Sequence, residues 1–134
     1  MWNYRGYGKS NGFSSSRNSI SDVQKVYQYV TKNFSIKIEV IHGYSIGGIS
    51  AISLSSSLSM SDSSPIKLLI ADRTFSSIDR VAEGFLNKRK KLLQFLVKLG
   101  RKVVKLLLWS ECVNNALTFR LCRCQKIVIH DIYD

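Results

Sequence analysis

The chain has 134 residues, 45% of them apolar, and a formal net charge of +11. That length suits at most one domain of the usual ~100–200 residues, and the apolar share is enough to fill a core. Cys112, Cys122 and Cys124 match neither a disulfide framework nor a zinc spacing, Met1 opens no signal-peptide pattern, and no apolar run reaches the ~18 residues of a membrane span. The expectation is a cytoplasmic protein with reduced thiols, no cofactor and no metal.

The chain opens on Asn3-Tyr4-Arg5-Gly6-Tyr7-Gly8-Lys9-Ser10. Ser19 with Asp22 three residues later has the form of a capping box, and Ile20, Val23, Val26, Tyr27, Val30 and Phe34 continue at helical spacing. A β-branched run over residues 36–42 reads as a strand. It leads into Gly43-Tyr44-Ser45-Ile46-Gly47-Gly48 and a small-residue helix over 47–58. Eight serines fall within residues 53–64, just before the only proline, Pro65, and suggest the solvent-side end of that helix and a polar loop. Residues 66–72 form the next apolar strand and 126–130 a last one. Apolar strands alternating with helices predict an α/β fold whose mostly parallel sheet is covered by helices on both faces. Ligand sites in such sheets lie at the carboxyl ends of the strands, where Ser45, Asp72 and Asp134 all fall.

The positive charge is concentrated. Residues 88–105 carry Lys88, Arg89, Lys90, Lys91, Lys98, Arg101, Lys102 and Lys105 with no acid, so they supply +8 of the net +11. Within this stretch Leu92, Phe95, Leu96, Leu99, Val103, Leu106 and Leu107 recur at helical spacing and leave the cations on the opposite side. Two readings follow: an amphipathic helix packed on the core with a solvated basic face, or one touching an anionic membrane surface. No aromatic platform or nucleic-acid motif accompanies the charge, so no nucleic-acid partner is expected.

Gly43-Tyr44-Ser45-Ile46-Gly47 is a G-x-S-x-G pentapeptide between a strand and a helix, the setting of a nucleophile elbow. Together with Asn3-Tyr4-Arg5-Gly6-Tyr7-Gly8 and Asp72-Arg73-Thr74-Phe75-Ser76-Ser77, it resembles the α/β-hydrolase superfamily, most closely its abhydrolase-domain branch of serine hydrolases and protein depalmitoylases. The likeness covers residues 2–87 and resumes over 109–134, with Asn3 where the branch has aspartate.

It implies a partial hydrolase domain over 1–134, with residues 84–109 as a lid-like insertion. Early strands and the late histidine loop of the family have no counterpart, so the resemblance describes a fragment inactive as given. It also implies hydrolysis of an acyl ester or thioester, on a small-molecule or lipidated substrate, with Ser45 as nucleophile and the backbone N–H of Ile46 as an oxyanion donor. Lys126-Ile127-Val128-Ile129-His130-Asp131-Ile132-Tyr133-Asp134 is similar to the family's acid-bearing segment and assigns the acid to Asp134, with Asp72 as the alternative. Asp131 stands where the family has glycine. Neither His42, inside the strand before Ser45, nor His130 matches the family's catalytic histidine.

Overall fold

The amino-terminal segment is a tight turn built from glycines at positive φ. Gly6 (φ 83°) bonds its N–H to the Ser10 carbonyl, and a Cβ there would lie 3.0 Å from the Gly12 carbonyl oxygen. Ser15, with extended backbone, then caps α1 (Ser16–Phe34) by accepting the Asn18 N–H, a bond that adds about 1 kcal/mol to a helix of this kind. The computed structural model describes residues 2–76 and 114–130.

The helix therefore starts earlier than the Ser19–Asp22 pairing predicts. Ser19 donates its N–H to the Ser15 carbonyl, one turn into the helix. Asp22, instead of reaching back as a cap, receives the Arg5 guanidinium (Nε–Oδ1 2.8 Å, with Nη2 on the same oxygen) and the Arg5 N–H (3.1 Å). That pairing holds the Asp22 carboxyl below the usual carboxylate range. It also ties the amino-terminal turn to α1. The helix ends at Ser35 in the left-handed conformation (φ 51°), a common stop signal.

Three strands follow: β1 (Val40–Tyr44), β2 (Leu68–Asp72) and β3 (Gln125–Ile129), all parallel in the order β1-β2-β3. Val40 pairs with Leu68 and Tyr44 with Asp72; Leu68 pairs with Gln125 and Asp72 with Ile129. The first strand begins at residue 40, not at 36, because that is where its partner begins. The Glu39 carbonyl takes the N–H groups of both Lys67 and Leu68 (2.8 and 3.1 Å), and the ladder opens from that point.

Between β1 and β2 lies α2 (Gly47–Ser59), and α3 (Asn115–Leu121) precedes β3. Pleating sends Ile41, Gly43, Leu69 and Ala71 to the side of α2. Leu69 is fully buried there with Ala51, Ile52 and Cys122, and Ile41, Phe119 and Cys124 pack on that cluster. α1 packs against α2, and so does α3. The serine-rich end of α2 is correspondingly in part interior: Ser55 and Ser59 are buried while Ser57 is exposed, and the Ser59 hydroxyl accepts the Arg123 N–H at 3.1 Å. Lys126 secures the last turn of α3 by donating from Nζ to the carbonyls of Phe119, Arg120 and Cys122.

The α/β arrangement is as expected. Among the described residues helices lie on one face of the sheet. Val40, Tyr44, Ile127 and Ile129 on the second face are exposed. No helix among the described residues is long and apolar enough to cross a membrane.

Candidate active site

Ser45 occupies the turn between β1 and α2 with φ 50°, the left-handed region that a side chain adopts reluctantly. Three contacts hold it there. Its N–H donates to the Asp72 carbonyl at 2.9 Å, its own carbonyl accepts the Gly48 N–H at 3.0 Å, and the same carbonyl accepts the Thr74 hydroxyl at 2.9 Å. The turn is thus fastened to both the strand beside it and the helix after it.

The glycines around Ser45 are not equivalent. A Cβ on Gly43 would come within 2.5 Å of the Ala51 Cβ and 2.8 Å of the Gly48 Cα, where strand and helix meet. One on Gly48 would lie 2.0 Å from the Thr74 hydroxyl oxygen and 2.5 Å from its Cβ. Gly47, the second glycine of the pentapeptide, has open space on the same test. The close approach therefore falls on Gly43 and on Gly48, one position beyond the pentapeptide.

Ile46 is the residue from which α2 begins, exposed and without a side-chain cap. Its N–H donates to no group among the described residues, so a donor stands free one residue beyond Ser45. Asp72 ends β2 in register with Tyr44. Its backbone carbonyl holds Ser45, while its carboxylate, mostly buried, meets His42 (Nε2–Oδ2 3.2 Å). His42 and Asp72 are diagonal neighbours on adjacent strands, on the face away from α2, which is why they meet. The His42 ring remains about half exposed.

The site therefore brings together Ser45, Ile46, Asp72 and His42 at the carboxyl edge of the sheet. Among the described residues no hydrogen bond joins His42 to Ser45. His130 follows the end of β3 and is exposed. Asp134 and Asp131 lie outside the described residues, as do the cations of 88–105 and the insertion over 84–109. No cluster of three potential metal ligands occurs among the described residues.

Sequence reasoning missed Thr74, whose hydroxyl braces the Ser45 carbonyl across 29 positions of chain. Its signal was its place two residues after a strand end. Arg73, between Asp72 and Thr74, is also left-handed (φ 47°), with its N–H on the Ile129 carbonyl at 2.9 Å. Comparison of the chain with family models, with curated proteins and with solved structures gave no match.

Proposed function

We infer that this chain has the site of an α/β-hydrolase-type serine hydrolase, acting on acyl ester or thioester bonds through Ser45. One observation carries the reading: a serine held left-handed between a parallel strand and a helix, with Gly43 and Gly48 packed too closely for any Cβ. Strain of this kind, over-determined by its surroundings, is concentrated at functional positions. In the reaction the Ser45 oxygen attacks the acyl carbon and its proton passes to a base. The Ile46 N–H meets the negative charge that develops on the carbonyl oxygen, and the alcohol or thiol leaves with a proton. Water then releases the acyl group from Ser45.

The acid has two candidates. Asp134 follows from the resemblance, and Asp72 is favoured by its bond to His42, since a carboxylate on an imidazole is the orienting half of a triad. The substrate would be a small or lipidated acyl compound, and the basic stretch 88–105 would bring an anionic membrane surface near it.

The test is labelling with a fluorophosphonate probe, which reacts only with an activated serine. Labelling that is lost in Ser45→Ala and reduced in both His42→Ala and Asp72→Asn is the expected result. A folded wild-type chain that takes no label would sink the catalytic reading.

A second reading is favoured by the placement of His42, whose ring bonds Asp72 and not Ser45. Here the chain is a non-catalytic hydrolase relative that presents its basic stretch to a membrane or a protein partner. Unlabelled but folded protein that sediments with anionic vesicles would select it.

A further inference from the structure

Two helix beginnings meet beside the Ser45 turn. α1 contributes Ser16 from its first turn and α2 contributes Ile49 and Ser50 to one cavity of about 170 Å³. Tyr4 and Tyr7 line it from the amino-terminal turn, and Ile46, the residue after Ser45, forms another part of the wall. An apolar cavity of about 150 Å³ takes a benzene molecule, so this one suits a guest of that size.

Its polar groups are unusual. Ser50 is 2% exposed and Ser16 6%, and neither hydroxyl makes a hydrogen bond among the described residues; both line the cavity. Two unpartnered hydroxyls on the wall of a single cavity suit a polar guest. The Ser16 N–H also has no acceptor among the described residues, the Ser15 hydroxyl taking the Asn18 N–H and the Ser15 carbonyl the Ser19 N–H. Helix amino ends favour negative charge, and here two of them converge with no acidic residue in either first turn and no carboxylate among the lining residues.

We propose that this cavity is a binding site for a small organic carboxylate whose body is no larger than a benzene ring. The carboxylate oxygens take the Ser16 and Ser50 hydroxyls and the Ser16 N–H, and the body lies against Tyr4, Tyr7, Ile46 and Ile49. A carboxylate matches this small donor set better than a phosphate, which brings one more oxygen and twice the charge. The site does not depend on Ser45 being reactive.

Benzoate and its neutral isostere benzamide separate charge recognition from filling of an apolar hole. In amide-resolved NMR titrations of the full chain, benzoate is expected to shift Ser16, Ser19, Ile49 and Ser50 saturably, with benzamide weaker by about tenfold or more, the scale of one hydrogen bond to a charged group. The double variant Ser16→Ala/Ser50→Ala should weaken benzoate and leave benzamide unchanged. Ser45→Ala should bind benzoate as wild type does, which keeps this test separate from probe labelling. Equal binding of the two compounds would overturn the proposal. So would benzoate shifts scattered over basic surface residues, or no saturable shift up to about 10 mM, the weak limit of small-ligand binding. The comparison in wild-type protein needs no variant to fold.

Discussion

The turns that follow β1 and β2 begin alike and end differently. Each strand is succeeded at once by a left-handed residue with a side chain, Ser45 at φ 50° and Arg73 at φ 47°, and each of these donates its N–H to the last carbonyl of the next strand over. What separates them is clearance. Around Ser45 the strand and helix approach so closely that Gly43 and Gly48 have no room for a Cβ. A left-handed residue at a strand end is therefore not in itself the mark of a reactive position. The mark is that residue combined with glycines that let a helix begin two residues later.

The severest way to break the comparison is to fill that clearance. Gly43→Ala or Gly48→Ala should each cost about 3 kcal/mol, the upper range for overpacking, because the intruding Cβ meets a backbone-anchored atom within about 2.5 Å. Urea unfolding would measure it, and a loss below about 1 kcal/mol would mean the helix simply moves away. Next in size, Ser45→Gly and Arg73→Gly should each gain about 1 kcal/mol by relieving left-handed strain, and only the former should abolish probe labelling. A gain at Arg73 alone would show that the Ser45 turn is not strained after all. Thr74→Val removes the brace on the Ser45 carbonyl and should cost about 1 kcal/mol, with slower labelling of Ser45 as the sign that the turn has loosened. The smallest change is Gly47→Ala. It should be neutral or stabilising by about 0.5 kcal/mol, since its Cβ would enter open space in the first turn of a helix.

Acid unfolding offers a control that touches neither turn. The Arg5 guanidinium holds the Asp22 carboxyl low, so the folded state gains stability above the ordinary carboxylate pKa and loses it as pH falls through the lower folded value. The wild-type urea midpoint should thus fall below about pH 4, and less steeply in Asp22→Asn. Glu39, held low by Lys67 and then Lys37, titrates in the same range and would account for the slope that remains.

The sequence foretold α1, α2 and the three strands, though not the short α3, because they carry strong local signals: helical spacing from Ile20 to Phe34, β-branched residues before Ser45, the Leu68-Leu69-Ile70 run. Boundaries were less legible, since partners outside the segment set them. Ile36 and Ile38 alternate like a strand but precede the first residue of β2 that could pair with them. Ser19 and Asp22 have cap spacing, yet Arg5, 17 positions before Asp22, claims the carboxylate. The serines of α2 look like a solvated end and are partly an interior face, because α3 and the residues after it pack there. At the site Ser45, Ile46 and Asp72 could be named from their pattern. The Thr74 brace and the meeting of His42 with Asp72 could not, as both depend on register between strands.

Cys122 has a practical consequence. Its thiol is buried, donates to the Ile52 and Thr118 carbonyls, and is pushed above its usual pKa, chiefly by burial. Such a thiol ignores alkylating reagents while its surroundings are closed, because only the exposed thiolate reacts. It touches α2 from the junction of α3 and β3, so its alkylation rate is a clock for how often that corner of the molecule opens. Followed by mass spectrometry in the Gly43, Gly48 and Thr74 variants, it would time how far a disturbance at the Ser45 turn travels through α2, with no label introduced.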